Sequence, residues 1–250
     1  MKQIFGSLAA ILMVSGSPAL AFEESFFTVP SPNTLDAKTS VAGIAHGFST
    51  KVVDTEGIAK HLDQNNFGFS GANVGASYRY NFVKGMDAHA FVGLRSPEVT
   101  AGAGITVPMT GFAPFAGFDG VVQRDSGKYR KSFFGYVGAG SDALESWHLI
   151  PSVAFAYDSY DKNFGAALAL AVPFTEESSL VAEVIPHFTQ EPLNFALGDF
   201  LTWSAGYRYS TGGHQFFFVV SDSPAVTFRQ ALQGAPNGSM NFAFRITRLF

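Results

Sequence analysis

Cysteine is absent from this sequence, and charged residues are scarce. Without cysteine the chain has no disulfide bonds, thiolate metal ligands, cysteine nucleophiles or lipoprotein anchors. Asp, Glu, Lys and Arg make up 14% of the residues, against about 25% in typical soluble proteins. A soluble protein with so few charges would struggle to cover its surface with polar groups, whereas lipid tolerates an apolar exterior. The composition therefore favours a membrane protein.

A basic face for nucleic acid is also missing. Lys and Arg total 16 residues, Asp and Glu total 20, and the basic residues mostly occur singly. Proteins that bind nucleic acid concentrate Lys and Arg on one face or along one helix. We therefore expect no nucleic-acid partner.

The N-terminus has the pattern of a cleavable secretory signal. A single basic residue precedes an apolar stretch of eleven residues, Ile4–Val14, well short of the roughly 20 that a membrane-spanning helix needs. Pro18 then interrupts any helix, and Ala19–Ala21 fits the small-x-small cleavage pattern. We predict that residues 1–21 are a signal peptide, cleaved near Ala21, and that residues 22–250 form one exported domain.

After the signal, the main pattern is period-two alternation in segments of about ten residues. Ala76, Tyr78 and Tyr80, for example, alternate with Ser77 and Arg79. Aromatic residues reach 15% of the chain, and the polar stripes are mostly Gly, Ser, Thr, Ala and Asn with isolated charges. Twelve such segments are predicted, near 40–52, 68–82, 86–95, 98–107, 112–123, 133–141, 147–158, 163–173, 178–189, 199–209, 214–221 and 239–250.

The connections between these segments alternate in length. One set is short, whereas the other includes the long stretches 53–67, 124–132, 190–198 and 222–238. Short turns at one end, longer loops at the other and an even strand count are typical of outer-membrane barrels. We predict an all-β fold: a single closed antiparallel transmembrane β-barrel of about 12 strands, with ten or fourteen as alternatives and both termini on the periplasmic side.

The last segment ends in Phe250, which follows apolar residues at every second position. An aromatic terminus on such a strand resembles the signal read by the barrel assembly machinery. We therefore predict Phe250 as the assembly signal, that machinery and outer-membrane lipid as partners, and the bacterial outer membrane as the location. A secreted soluble β-sandwich or lipocalin-like barrel is the main competing fold, but its polar stripes should be rich in Lys, Glu and Asp.

Three stretches resemble an uncharacterised family of bacterial outer-membrane β-barrels, defined only as a domain of unknown function. They are GIAHGFST at residues 43–50, FGFSGANVGASYRYNFVKGMDAHAFVGLRS at 67–96 and SMNFAFRITRLF at 239–250. Together they cover about 50 residues, in the first three segments and the last. The resemblance implies the barrel fold and carries no activity or catalytic residues.

The sequence shows no pattern that marks catalysis, metal binding or a cofactor. No histidine is followed two residues later by serine, the arrangement that a barrel-wall lipase would use to place both groups on one face. His187 and Thr189 have that spacing, but threonine is a poor substitute. Gly102-Ala-Gly104 is not followed by a helix, so we interpret it as packing rather than as a nucleotide loop. We therefore expect no enzyme activity, cofactor or metal.

The polar residues that alternate with the aliphatic stripes are expected to point into the barrel. A tight turn after Phe82 would place Arg79 opposite His89 and Asn81 opposite Asp87, with Arg79 diagonal to Asp87. The full set of lumen-facing candidates is Arg79, Asn81, Asp87, His89, Arg95, Asp119, Gln123, Glu183, His187, Arg208, Asn241 and Arg245.

Two roles for this set stay open. The groups either pair across the barrel and fill it, or they line a narrow polar pore whose charges sort solutes. Twelve strands lie between filled barrels of eight and open porins of sixteen. We predict a narrow passive channel for an unidentified small solute. The alternatives are a plugged structural or surface-binding barrel and an outer-membrane enzyme that modifies lipid.

Overall fold

The structure, a computed structural model, describes residues 25–31, 34–48, 72–93, 98–125, 127–141, 144, 148–188, 201–235 and 240–250. The predicted signal peptide, Arg95 and the stretch 53–67 therefore lie outside the described residues. Within the ranges given, no helix is long and apolar enough to cross a membrane.

Twelve strands in the described part of the chain form one closed antiparallel barrel. Each strand pairs with its neighbours in sequence, and the last strand closes on the first through pairs such as Ile44 with Ile246. The strands are β1 Thr39–Phe48, β2 Ala72–Val83, β3 Met86–Gly93, β4 Glu98–Thr106, β5 Ala113–Asp125, β6 Lys128–Gly140, β7 Ile150–Asp158, β8 Asn163–Pro173, β9 Ser178–Phe188, β10 Leu201–Thr211, β11 His214–Ser221 and β12 Asn241–Leu249.

The predicted fold class and strand number are confirmed. One prediction about the connections is wrong: 124–132 is not a long loop, because β5 continues to Asp125 and β6 already begins at Lys128. Backbone pairs such as Arg124 with Tyr129 extend this hairpin. The first residues of β6 include Lys128, Arg130 and Lys131 and are all exposed, so they lack the apolar alternation that marks a strand in the sequence.

Side chains alternate between an exposed and a buried face along the strands, as the pleat of a β-strand requires. In β8, Leu168 is 60% exposed between the buried Ala167 and Ala169. In β5, Phe118 is 57% exposed and the next residue, Asp119, is buried. Because the barrel is closed, the exposed face is its outside, and that outside is largely apolar.

Two segments outside the sheet belong to the buried interior. The first, the N-terminal segment, comprises residues 25–31; Ser25 and Pro30 form an isolated bridge, and Phe26, Phe27 and Val29 are fully buried. The second, the inner loop, comprises residues 222–235 and follows β11. Both contribute to the main cluster of buried apolar side chains, together with residues of the barrel wall.

The inner loop contains one turn of helix, α1 Phe228–Ala231. Thr227 caps it by accepting a hydrogen bond from the backbone N–H of Gln230. The loop then turns at Gly234, where φ is +85°, a conformation that glycine adopts readily. Helix is therefore confined to a single turn, and the rest of the loop is irregular.

Small residues on the wall make room for these segments. The buried residues of β7 and β8 include Ala154, Ala156 and Ala167, so this part of the wall occupies little of the interior. A Cβ atom on Gly165 would lie 2.3 Å from the Leu232 side chain of the inner loop. Burying one Phe side chain is worth roughly 1.5–3 kcal/mol, so Phe26 and Phe27 supply much of the apolar attachment of the N-terminal segment.

Candidate functional site

The β2–β3 hairpin places charged residues side by side, and its predicted pairing is confirmed. Arg79 lies opposite His89, and Asn81 lies opposite Asp87. The hairpin turns at Gly85, with φ of +78°. The predicted diagonal contact is also present, with Nε of Arg79 3.3 Å from Oδ1 of Asp87.

His89 lies between two carboxylates. Its Nδ1 atom is 2.6 Å from Oδ1 of Asp87, and its Nε2 atom is 2.9 Å from Oδ1 of Asp119 on β5. Ionised carboxylates only accept hydrogen bonds, so this geometry fits an imidazolium that donates from both ring nitrogens. Arg79, Asp87, His89 and Asp119 form a charge-balanced group, which we call the charged row.

Two glycines on β4 make the charged row possible. Gly102 pairs with both His89 and Asp119, and Gly104 pairs with Asp87. A Cβ atom would lie 2.5 Å from Oδ1 of Asp119 at Gly102, and 2.8 Å from Oδ2 of Asp87 at Gly104. The interpretation of these glycines as packing positions is confirmed.

A cavity of about 140 Å³ lies beside the charged row. Arg79, His89 and Asp119 line it on the wall, together with hydroxyl groups and aromatic rings. The N-terminal segment and the inner loop form its other sides. Arg245 of β12 connects these two segments, because Nη1 donates to Oγ of Ser25 at 2.9 Å and Nη2 to the carbonyl of Val226 at 2.7 Å.

Arg229 fastens the inner loop to three strands. Its Nη1 lies 2.8 Å from Oε2 of Glu98 on β4, and its Nε lies 2.9 Å from Oδ2 of Asp158 on β7. Its Nη2 donates to Oε1 of Gln123 on β5 at 2.9 Å. All three charged side chains are almost completely buried, so each depends on the others for compensation.

Further hydrogen bonds satisfy the backbone of the inner loop. Asn163 donates to the carbonyl of Leu232 at 3.0 Å, and Thr202 donates to the carbonyl of Ala231 at 2.9 Å. These are carbonyls at the end of α1, which the helix itself leaves without partners. The wall therefore supplies additional hydrogen-bond donors to the C-terminal end of this short helix.

Glu183 of β9 holds the N-terminal segment. Its Oε1 accepts from the backbone N–H groups of Phe27, Thr28 and Val29 at 2.7, 2.7 and 2.8 Å. Its Oε2 accepts from the hydroxyls of Thr28 at 2.8 Å and Ser204 at 3.1 Å. Glu183 is only 1% exposed, and four of these five hydrogen bonds come from the segment.

The remaining predicted lumen residues are dispersed. His187, Arg208 and Asn241 are buried on β9, β10 and β12, and none of them lines the cavity beside the charged row. Asn81 is buried at the short-turn end of β2. Phe250 is exposed, and its backbone pairs with Ser40; its role as an assembly signal stays a prediction.

The prediction missed Glu98, Asp158, Asp222 and Arg229. Glu98 could have been predicted from the sequence. It lies two and four positions before Thr100 and Gly102 in the alternating β4 segment, so its side chain is expected on the same face of the strand. Arg229 lies in a loop without periodicity, so nothing in the sequence placed it near Glu98 or Asp158.

His89 and His187 both make contacts within the protein. A general base needs a ring nitrogen within reach of the substrate, and both nitrogens of His89 already contact carboxylates. His187 is buried, with Nδ1 3.4 Å from the carbonyl of Ile185, and Thr189 lies outside the described residues.

The barrel resembles solved outer-membrane barrels in fold. A structure described as KdgM porin superposes with a TM-score of 0.55 at 8% sequence identity, covering 84% of this chain and 98% of that chain. A NanC porin structure gives a TM-score of 0.51 at 10% identity, with the same coverage. The structure of LpxR from Salmonella typhimurium is less similar, with a TM-score of 0.46 at 10% identity over 85% of this chain and 99% of that chain.

No protein-family model matches the chain, and no curated protein sequence is similar to it. Membership in the uncharacterised barrel family therefore stays a prediction. At such low identities the similarity to KdgM and NanC establishes the fold, that of bacterial outer-membrane β-barrels, and leaves substrates open.

Proposed function

We propose that the protein is a channel of the bacterial outer membrane, through which small polar solutes pass passively along a narrow lumen. The observation that carries this proposal is the polar cavity beside the charged row, inside a closed barrel whose outside is apolar. Fixed charges and hydroxyls in a lumen replace part of the water that a polar solute gives up on entry. The fold shared with KdgM and NanC, both described as porins, supports this role.

The size of the lumen favours small solutes. The N-terminal segment and the inner loop occupy much of the interior, and the cavity between them measures about 140 Å³. Because Arg229 ties the inner loop to three strands, we expect this loop to keep the lumen narrow and to set a sharp upper limit on solute size. The chain would reach the membrane through the barrel assembly machinery, with Phe250 as the recognised terminus.

The filled interior also favours a second candidate, a closed barrel with a structural or surface-binding role. Phe26, Phe27 and Leu232 are fully buried within the barrel, as expected for a permanent plug. The two candidates differ in one respect: a channel must conduct, whereas a permanently plugged barrel must not.

Planar-bilayer recording of the refolded full-length mature chain tests the proposal. The channel predicts discrete conductance steps, smaller than those of an open sixteen-stranded porin recorded in the same salt. Uncharged polyols of increasing size should then be added. Only polyols with a molecular radius small enough to enter the lumen should block the conductance steps. If wild-type protein and variants with a loosened interior are all silent at every potential, the channel proposal fails and the plugged barrel stands.

A further inference from the structure

We propose that the N-terminal segment, residues 25–31, is a removable plug, and that Glu183 is the fixed lumen charge that this plug covers. This inference rests on the proposed channel function. It adds to that function a segment that closes the channel, and it assigns to Glu183 the ion selectivity of the channel after the segment has moved out of the lumen.

The segment can leave without breaking the barrel wall. All twelve strands pair with one another in a closed ring, and residues 25–31 take no part in that ring. The backbone hydrogen bonds of the segment include an internal one, from Phe26 N–H to the carbonyl of Val29, and one from Phe27 N–H to the side chain of Glu183. Removing the segment therefore costs no strand pairing.

Glu183 is the main polar attachment of the segment. This one carboxylate accepts hydrogen bonds from three consecutive N–H groups and from the hydroxyl of Thr28. Four hydrogen bonds to a single side chain are many for a segment of seven residues. Hydrogen bonds to an ionised acceptor are stronger than those between neutral groups. The apolar part of the attachment comes from Phe26, Phe27 and Val29.

Departure of the plug would change the charge that passing ions meet. Within the described residues, the acceptors of Glu183 are occupied only by uncharged donors, and four of its five hydrogen bonds leave with the segment. Its carboxylate would then face water in the lumen. A fixed carboxylate at a constriction attracts cations and repels anions.

The absence of native cysteine allows the plug to be locked in place. The hydroxyls of Thr28 and Ser204 both contact Oε2 of Glu183, so Thr28→Cys with Ser204→Cys places both thiols beside the same carboxylate oxygen, where we expect them to form a disulfide. We expect the oxidised double variant to stay closed in planar bilayers and reductant to restore openings. Thr28→Cys alone should not respond to reductant. The plug would be overturned if the two thiols stay free under oxidant. It would also be overturned if the oxidised and the reduced double variant conduct equally.

Phe27→Ala provides a second route that leaves every wall residue unchanged. Phe27 is 1% exposed, so truncation removes a large part of the apolar attachment, and the open time should rise by more than about tenfold. An open time equal to that of the wild type would contradict the plug, whereas conductance itself would still support the channel.

Glu183→Gln in the Phe27→Ala background tests the selectivity. The Gln amide can still accept from the three N–H groups and donate to the two hydroxyls, so the variant removes mainly the charge. The reversal potential in a KCl gradient should shift towards anion selectivity. Glu177→Gln, in the exposed turn after β8, should cause no shift. An unchanged reversal potential for Glu183→Gln would overturn the role of this residue, and silence of all variants would overturn the channel.

Discussion

The Nε2 atom of His89 lies 2.9 Å from Oδ1 of Asp119, although strand β4 runs between the strands that carry them. Side chains on next-but-one strands normally have the intervening side chain between them. Here the intervening residue is Gly102, which pairs with both His89 and Asp119 and leaves that space open. The charged row therefore depends on a residue that carries no charge.

Gly102→Ala should weaken the barrel by about 1–3 kcal/mol, the usual cost of overpacking. Its Cβ would lie 2.5 Å from Oδ1 of Asp119 and 2.2 Å from the carbonyl of Phe118, and the backbone cannot easily yield. Urea unfolding in detergent measures the change. Gly120→Ala is the matched control, because the nearest atom to its Cβ would be 3.7 Å away. Equal stability of the two variants would contradict the steric explanation.

Arg229→Met should release the inner loop while leaving the barrel folded. The substitution leaves the buried carboxylates of Glu98 and Asp158 without their cation, a loss of about 3–5 kcal/mol for a broken buried pair. Chymotrypsin should then cut near Phe228 much faster than in the wild type. Lys128→Met removes an exposed cation at the start of β6 and should leave the cleavage rate unchanged.

A triple variant refines the test of Arg229. Adding Glu98→Gln and Asp158→Asn to Arg229→Met removes the uncompensated charges and should restore part of the protection from chymotrypsin. Cleavage as fast as in the single variant would mean that the loop is released by the loss of the ion pairs and hydrogen bonds of Arg229, and not by the unpaired carboxylates.

Asp222, at the start of the inner loop, should make stability depend on pH. Burial raises the pKa of Asp222 to about 6, although the N–H groups of Trp203 and of Asp222 itself oppose the shift by hydrogen bonding. Because the folded-state pKa exceeds the ordinary value of 3.8, the folded protein binds this proton more tightly. The resulting stabilisation is complete below the ordinary value and is lost as the pH rises through about 6.

Asp222→Asn isolates this contribution, since the amide oxygen can still accept from the N–H of Trp203. The free energy of unfolding of the wild type, minus that of the variant, should fall between pH 4 and pH 7, a window of about three units around the two pKa values. Unfolding by urea at several pH values provides the measurement. A difference that stays constant over this range would show that Asp222 does not titrate as described.

Local features of this fold could be predicted from the sequence. Period-two alternation identifies the twelve strands, since each strand has one face outside and one inside the barrel. The tight turn at Gly85 fixes the β2–β3 register, which places Arg79 opposite His89. The start of β6 could not be predicted, because its charged residues lie beyond the apolar region and continue the hairpin through backbone pairs such as Arg124 with Tyr129.

The contents of the barrel could not be predicted in the same way. Glu183 and Thr28 are 155 positions apart, and Arg229 reaches Glu98 across a similar separation. Neither the N-terminal segment nor the inner loop has a periodic pattern, so the local sequence does not indicate which wall residues each of them contacts. Closure of the barrel brings these residues together, and their contacts depend on the complete fold.

Quenching by brominated lipids tests most directly whether the apolar face of this barrel contacts acyl chains. Phe118 and Phe134 lie at nearly the same height on neighbouring strands, because Asp119 pairs with Phe134 and Phe118 with Gly135, but Phe118 is 57% exposed and Phe134 only 3%. In a background with Trp147→Phe and Trp203→Phe, fluorescence from Phe118→Trp should be strongly quenched, and fluorescence from Phe134→Trp should be nearly unaffected. Equal quenching at both positions, or stronger quenching at Phe134→Trp, would contradict the outward orientation and the enclosed lumen.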